Sequence, residues 1–211
     1  VKPSVFEGDL RDLPQALEPQ PGEPEKEIPK ITYPRGPSEG HKNGRSTDVP
    51  QGPDPLLDLQ EDNDTGPSSE ALHAISPPEL NFPGQGYSFV QPPDTVGDVG
   101  LNYYIQMINA TSGSRFTIYN KGDGSIAAGP INLDTLGTGN CAFGRGDPIV
   151  LWDPLAERWL LSEFSSTANA LCVYISQTSD PIAGGWFSYE FRTPFFPDYP
   201  KYGVWPDAYY V

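Results

Sequence analysis

Short runs of apolar and β-branched residues alternate with polar turn segments from about residue 81 to residue 211. Runs of this length, bounded by Gly, Pro, Asn and Asp, are typical of β-strands. The pattern predicts strands over 87–90, 103–109, 115–119, 125–131, 149–152, 158–164, 170–177, 186–192 and 208–211. The second half of the chain is therefore expected to be all-β.

Two of these strands are predicted to form a hairpin that carries two tryptophans. The segment 153–157 contains Asp153 and Pro154, and Asp can bond its own backbone while Pro presets the first turn dihedral. We expect Trp152 and Trp159 on one buried face. A second hairpin turn is predicted at 121–124, where Asp and Gly tolerate positive φ. The oxygen donors around that turn are too few for a calcium-binding loop.

Residues 1–80 differ from the rest of the chain because prolines recur, charges are interleaved and apolar residues follow no period. Such a segment does not bury enough surface to offset its ordering entropy, so it predicts an acidic, Pro-rich extended arm. The segment 68–75 has the composition for one or two helical turns. An ordered arm must lie on its own domain or on a neighbouring subunit. The apolar residues expected to be buried in that case are Val5, Phe6, Ile28, Ile31, Tyr33, Leu56, Leu57 and Leu59.

The chain has 211 residues, a formal net charge of −15 and only 13 Lys and Arg residues. So negative a charge argues against nucleic acid and anionic membrane surfaces as partners, because both require clusters of basic residues. No apolar run approaches the roughly 18 residues of a membrane-spanning helix.

The two cysteines, Cys141 and Cys172, lie before and after the central hairpin. We expect a disulfide between them, which would stabilise the fold by about 3 kcal/mol. The alternative is a pair of buried free thiols. The acidic composition, rich in Gly and Pro, favours an exported protein and therefore the disulfide.

A turn with an aspartate precedes an apolar strand at three places, marked by Asp98, Asp147 and Asp207. The aspartates are spaced by 49 (147 − 98) and 60 (207 − 147) residues. Spacings of roughly 40–50 residues with about four strands per unit predict blades of a β-propeller. An irregular β-sandwich is the alternative.

The candidate chemistry consists of acids and aromatics. If the turn aspartates gather at one end of a ring, they form paired acids or hold calcium; otherwise each caps backbone amides, as Asp usually does in turns. Both histidines lie in the arm, which excludes a Ser-His-Asp triad within the β domain. The acidic candidates are Asp98, Asp147, Asp153, Asp198 and Asp207, and the aromatics of a candidate ligand-binding face are Tyr199, Tyr202 and Trp205.

Three motifs together resemble those of a family of secreted bacterial β-propeller-like proteins. They are the segment 92–100, the segment 146–153 with Arg158-Trp159, and the closing segment 196–207. The resemblance covers most of residues 82–211 and implies an exported β-propeller. It implies no established reaction, and no catalytic residue is carried over from it.

A propeller needs about four or more blades, whereas this sequence supplies two and the beginning of a third. We therefore expect a fragment of a longer protein, or an incompletely determined sequence. A second polypeptide or a continuation of the same protein would complete the ring by pairing with 208–211, giving a homo- or hetero-oligomer in the former case. The expected function is that of a non-catalytic extracellular domain for binding or assembly. The alternative is a carbohydrate-active, sialidase-like propeller hydrolase that uses the turn aspartates.

Overall fold

The computed structural model describes residues 1–20, 22–28 and 78–211. These residues form an all-β structure with several antiparallel sheets, supplemented by three short 3₁₀ helices at Leu10–Asp12, Leu133–Leu136 and Gly139–Ala142. The strands are β1 (Ser4–Phe6), β2 (Lys26–Glu27), β3 (Val90–Gln91), β4 (Val96–Val99), β5 (Tyr103–Ala110), β6 (Gly113–Asn120), β7 (Ile126–Asn132), β8 (Gly144–Asp153), β9 (Arg158–Ser165), β10 (Ala170–Ser176), β11 (Trp186–Arg192), β12 (Gly203–Val204) and β13 (Tyr209–Tyr210). The predicted helix at 68–75 and the arm residues Ile31, Tyr33, Leu56, Leu57 and Leu59 lie outside the described residues.

The first sheet is a four-stranded antiparallel meander in the order β4-β5-β6-β7. The predicted turn at 121–124 joins β6 to β7, and its Asp123 carboxylate accepts hydrogen bonds from the Ser125 amide (2.9 Å) and hydroxyl (2.7 Å). Asp123 thus stabilises a hairpin turn by bonding to the backbone two residues on, as Asp does in such turns.

The second sheet is a meander of β8 to β11, to which β1 adds at the outer edge in the order β1-β11-β10-β9-β8. The central hairpin prediction is confirmed, because Trp152 lies opposite Trp159 with ring centroids 5.0 Å apart. The strand before the turn is longer than predicted, since β8 begins at Gly144. A bulge between Gly146 and Ile149 keeps Asp147 and Pro148 within the strand, as an inserted residue in a ladder does.

The hydrophobic core lies between these two sheets. The first sheet contributes residues such as Phe116 and Ile118, and the second contributes Trp159 and Leu161, all at most 1% exposed. The predicted disulfide is confirmed and joins the 3₁₀ turn at 139–142 to β10. It therefore ties the connection between the sheets to the middle of the second sheet.

The N-terminal residues belong to the same compact unit, which comprises residues 1–29 and 80–211. Strand β1 pairs with β11, and Leu10 is completely buried while its amide donates to the Ile182 carbonyl. Gln15 then forms a bridge with Ile131 at the edge of β7. The beginning of the predicted arm thus lies on its own domain, with Phe6 packed against the core and Val5 half-exposed.

Two smaller pairs complete the fold. Strands β12 and β13 form an antiparallel hairpin, and β2 pairs in parallel with β3. Among the residues that the structure describes, no helix is long and apolar enough to cross a membrane.

Candidate functional site

The structure brings together three aspartates that stand at the start of the first strand of successive β units. Asp94 precedes β4, Asp147 lies near the start of β8, and Asp198 precedes β12. Their spacings are 53 (147 − 94) and 51 (198 − 147) residues. We call these residues the strand-start aspartates. We call their recurrence near the start of three successive units, β4–β7, β8–β11 and β12–β13, the structural repeat.

A second set of aspartates stands at the end of the same strands. Asp98 lies in β4, Asp153 ends β8 and Asp207 follows β12, with spacings of 55 (153 − 98) and 54 (207 − 153) residues. The structural repeat therefore differs from the sequence alignment, which equated Asp98, Asp147 and Asp207. Asp147 corresponds instead to Asp94 and Asp198.

The strand-end aspartates are occupied by structural hydrogen bonds. Asp98 accepts from the amides of Val99 (2.8 Å) and Trp152 (2.7 Å). Asp153 accepts from two amides of its own turn and, at 2.7 Å, from the Tyr209 hydroxyl. Both therefore link one unit to the next, and their carboxylate oxygens serve as backbone or hydroxyl acceptors rather than as paired acids. Asp207 accepts from the Tyr210 hydroxyl at 2.8 Å.

The strand-start aspartates line one cleft of about 340 Å³, together with Tyr199 and Lys201; we call it the acidic cleft. The completely buried Asn109 organises this cleft. Its side-chain amide donates to the Asp94 carboxylate at 3.2 Å, and its side-chain oxygen accepts from the Asp147 amide at 2.7 Å. Asn109 stands at the end of β5, so the first sheet positions the acids of both units.

The electrostatics of the cleft favour a shared proton. Partial burial raises the pKa of Asp147 to about 6, and the adjacent Asp94 carboxyl and the more distant charge of Asp198 act in the same direction. Two neighbouring carboxyl groups cannot both ionise easily, so one holds its proton to higher pH. At neutral pH the cleft is an acceptor-rich site, and below about pH 6 the Asp147 carboxyl becomes a donor as well.

Three residues of this cleft have left-handed backbone geometry, with φ values of 41° for Asp94, 56° for Asp147 and 62° for Tyr199. A non-glycine residue in this region costs on the order of 1–3 kcal/mol, and such residues are found preferentially at binding and catalytic sites. Asp tolerates the conformation better than most residues, and Tyr does so less well. The strain therefore marks this cleft as the candidate functional site.

The cleft provides oxygen acceptors for hydroxyl or amino groups of a ligand. Among the described residues, no group of three or more His, Cys, Asp and Glu side chains has the geometry of a metal site. The four aspartates suggested as calcium ligands, Asp98, Asp147, Asp153 and Asp207, do not lie together, because only Asp147 lines the cleft. The Lys201 ammonium lies 3.9 Å from the centroid of the Tyr199 ring and places one positive charge at the rim.

The three predicted ligand-face aromatics do not share one surface. Tyr199 is 80% exposed and belongs to the acidic cleft, whereas Tyr202 packs against the outer face of the second sheet. Trp205 is 65% exposed and lines neither surface.

That outer face of the second sheet is a second candidate surface. Its apolar residues include Leu160, Leu171, Val173 and Ile175. Above them runs a groove of about 390 Å³, which we call the apolar groove; its rim includes Phe191, Tyr202, Tyr209, Tyr210 and Val211. The face is only partly covered by the C-terminal segment.

Comparison with known proteins gives no match, since no family model fits the sequence and no curated protein or solved structure is detectably similar.

Sequence reasoning missed two residues of the acidic cleft, Asp94 and Asn109. Asp94 stands in a Pro-Pro-Asp turn, and Asn109 is a polar residue near the end of an apolar strand. The available signal was the interval of 51–53 residues between Asp94, Asp147 and Asp198, which is more regular than the alignment based on Asp98.

Proposed function

We propose that this chain is a secreted, non-catalytic module for binding and assembly, built of successive β-propeller-like blades. Its binding partner is a further β-sheet, which another polypeptide or a continuation of the same protein supplies. The observation that carries this proposal is the apolar outer face of the second sheet.

This sheet has apolar residues on both of its faces. Strand β10 is buried along its whole length, and its alternate residues point to opposite faces. The first sheet covers the inner face. On the outer face Phe191 is 42% exposed, and beside the apolar groove Tyr210 and Val211 of the C-terminal segment are 51% and 70% exposed. A contiguous apolar patch of this kind marks an interaction surface.

The outer face of the first sheet differs because the chain itself covers it. Phe82 packs on Tyr119 with ring centroids 5.2 Å apart, and the Gln85 amide donates to the side chain of Gln106 at 2.7 Å. Arg115 on the same face donates to the Gly86 carbonyl at 3.0 Å. Because the chain already covers much of this face, we expect the assembly to grow from the second sheet.

The structural repeat favours a β-sheet as the partner, rather than a helix or a small molecule. Hydrogen bonds link Asp98 of the first unit to Trp152 of the second, and Asp153 of the second to Tyr209 of the third. Strands β12 and β13 follow the second sheet as an antiparallel pair, as β4 and β5 form the antiparallel pair at the start of the first. The groove is thus the place where the remaining strands of a third sheet would pack, continuing the interface already formed between the first two.

Secretion is supported by the disulfide between Cys141 and Cys172, since disulfides persist in oxidising compartments.

A carbohydrate-active hydrolase is a second candidate because Asp147, with its raised pKa, faces other carboxylates in an open cleft. The geometry favours binding instead. Asp94 and Asp147 are both bonded to the same buried Asn109, and the Asp94 carboxyl raises the pKa of Asp147 directly, whereas the two carboxyl groups of glycosidases stand roughly 5–9.5 Å apart around the bond that they cleave.

Native mass spectrometry of the protein, isolated from the cells that secrete it, tests the assembly role. The test variant is Phe191→Lys, which places a charge in the apolar groove, and the matched control is Phe143→Lys, at a residue 57% exposed outside the groove. We expect the unmodified protein and the control to carry an additional polypeptide mass, and Phe191→Lys to lose it.

A single species with the mass of this sequence alone, or retention of a non-covalently bound polypeptide by Phe191→Lys, would reject the assembly role. A larger mass that persists under denaturing conditions would identify the further sheet as a continuation of the same protein. A mass equal to that of two identical chains would identify the partner as a second copy of this chain and not as a different polypeptide. Circular dichroism of both variants checks that the sheets are intact.

A further inference from the structure

A separate cleft of about 410 Å³ lies beside Arg115 on the outer face of the first sheet. Its walls come from the end of β5, the following turn, the end of β7 and the N-terminal segment around Glu18. The guanidinium of Arg115 lines this cleft although its side chain is only 2% exposed.

Arg115 is incompletely paired for a buried cation. One terminal nitrogen donates to the Gly86 carbonyl at 3.0 Å, and the other lies 3.3 Å from a carboxylate oxygen of Glu18. The Nε atom is buried and has no partner among the described residues. A guanidinium carries five N–H donors, and a buried one normally receives a two-point contact from a carboxylate. The site therefore has both room and unused donors for carboxylate oxygens.

Glu18 occupies the site from its solvent side. Its side chain is 61% exposed and makes a single-point contact, and Leu17 beside it is 92% exposed. The segment is held alongside β7 by the bridge from Gln15 to Ile131 and by the hydrogen bond from the Ala16 amide to the Pro130 carbonyl at 2.8 Å. Few contacts thus retain this carboxylate, and replacing it leaves the buried residues of the cleft in place.

We propose that Arg115 and its cleft form a carboxylate-binding site in which Glu18 is an exchangeable internal ligand. The ligand class is an acidic side chain on an extended segment that lies antiparallel to the edge of β7, which is the arrangement that residues 15–18 show. Recognition of an extended peptide at a sheet edge combines backbone hydrogen bonds with a specific side-chain contact. The site is independent of the apolar groove and of the acidic cleft.

Chemical rescue in the full chain tests this site. Glu18→Ala removes the CH2–COO⁻ end of the side chain, which propionate supplies with one additional methyl carbon. Glu7→Ala is the matched control at an exposed glutamate of the same N-terminal segment. Melting temperatures are measured in 100 mM sodium propionate and in 100 mM sodium chloride at pH 7. We expect Glu18→Ala to melt about 3 °C below the unmodified protein in chloride, since a modest loss of stability shifts Tm by a few degrees in a chain of this size.

Propionate is expected to restore at least half of that loss, with a saturable concentration dependence. It should not shift the melting temperature of Glu7→Ala relative to chloride. In the double variant Glu18→Ala/Arg115→Lys, which keeps the charge but loses the planar fork, the rescue should fall at least threefold.

Three results would overturn the proposal. These are a melting temperature of Glu18→Ala equal to that of the unmodified protein, equal effects of propionate and chloride on Glu18→Ala, and equal rescue of Glu18→Ala and of the double variant. The second and third results can be read even if a variant is destabilised, because each rescue is measured between two salts on the same protein.

Discussion

Glu163→Gln should make the stability of this protein much less dependent on pH. The Glu163 side chain is buried between the two sheets, and one of its oxygens accepts from the Ser114 amide at 2.8 Å. Its other oxygen has no partner among the described residues. Gly113 and Gly144 adjoin the carboxylate so closely that a Cβ at either position would lie within 2.6 Å of it.

Burial raises the pKa of Glu163 well above its usual value of 4.5, and the negative charge of Asp134 raises it further. The folded state therefore retains a proton that the unfolded state loses. The stabilising contribution is fully present below pH 4.5 and is lost as pH rises towards the folded-state pKa, because ionisation of the buried carboxyl then accompanies unfolding. In that range the free energy of unfolding falls by roughly 1 kcal/mol per pH unit from this group alone.

Glutamine has the same shape and keeps an oxygen acceptor for the Ser114 amide, but it does not titrate. Urea unfolding at pH 5, 6 and 7, followed by tryptophan fluorescence, gives the difference in stability between Glu163→Gln and the unmodified protein. We expect this difference to move in favour of Glu163→Gln as pH rises from 5 to 7, by at most about 1.4 kcal/mol per pH unit, which is the limit for one titrating group. Glu157→Gln, at an exposed turn residue, is the matched control. A difference for Glu163→Gln that stays constant across this range would refute the reasoning.

Three further predictions concern the acidic cleft, the disulfide and the link between the sheets. The folded-state pKa of Asp147 is raised to about 6, so its stabilising contribution is lost as pH rises from about 4 through 6. Asp147→Asn should therefore gain stability relative to the unmodified protein by on the order of 1 kcal/mol over this range, after allowance for solvent screening. Carboxyl ¹³C NMR of Asp147 should show a titration midpoint near pH 6, and this midpoint should fall in Asp94→Asn. Replacing Cys141 and Cys172 together by Ala opens a loop with a sequence separation of 31 residues and should lower the free energy of unfolding by about 3–4 kcal/mol in urea titrations, whereas an unchanged midpoint would contradict the expected loop entropy. Asp98→Ala removes the acceptor of the Trp152 amide and should cost about 1–2 kcal/mol in the same assay, while Asp207→Ala, at an exposed position, should cost less than half of that.

The strands and the disulfide could be predicted from the sequence because they depend on local signals. Runs such as 103–109 and 158–164 combine β-branched and aromatic residues, and turn residues bound them on both sides. The hairpin at Asp153 was equally accessible, since Asp and Pro at a turn act within a few residues. These elements would form in almost any arrangement of sheets, so they carry little information about the site.

The candidate site could not be predicted in the same way because it depends on the alignment of strands from different units. A bulge in β8 changes the distance between Asp147 and Asp153 relative to that between Asp94 and Asp98. A comparison of sequence motifs therefore equated Asp147 with Asp98, which is the wrong member of the pair. Gly146, with a φ of 104°, and Pro148 mark the bulge, but in the sequence the same residues indicate a turn before the strand.

The burial of single residues whose sequence neighbours are polar could not be predicted either. Leu10 lies in a segment rich in charge and proline, without any period, yet it is completely buried between the sheets. Glu163 lies between Ser162 and Phe164 in a strand with both faces covered, so the alternation of polar and apolar residues does not reveal an inside and an outside.

The position of β1 has a consequence for how the protein reaches its folded state. Ser4 pairs with Ser188, so during synthesis β1 emerges 184 (188 − 4) residues before the strand with which it pairs. Contacts between residues this far apart in the chain form slowly, because a long loop must close before they contribute. We therefore expect the second meander to assemble first and β1 to dock late, which leaves the edge of β11 open to other strands in the meantime.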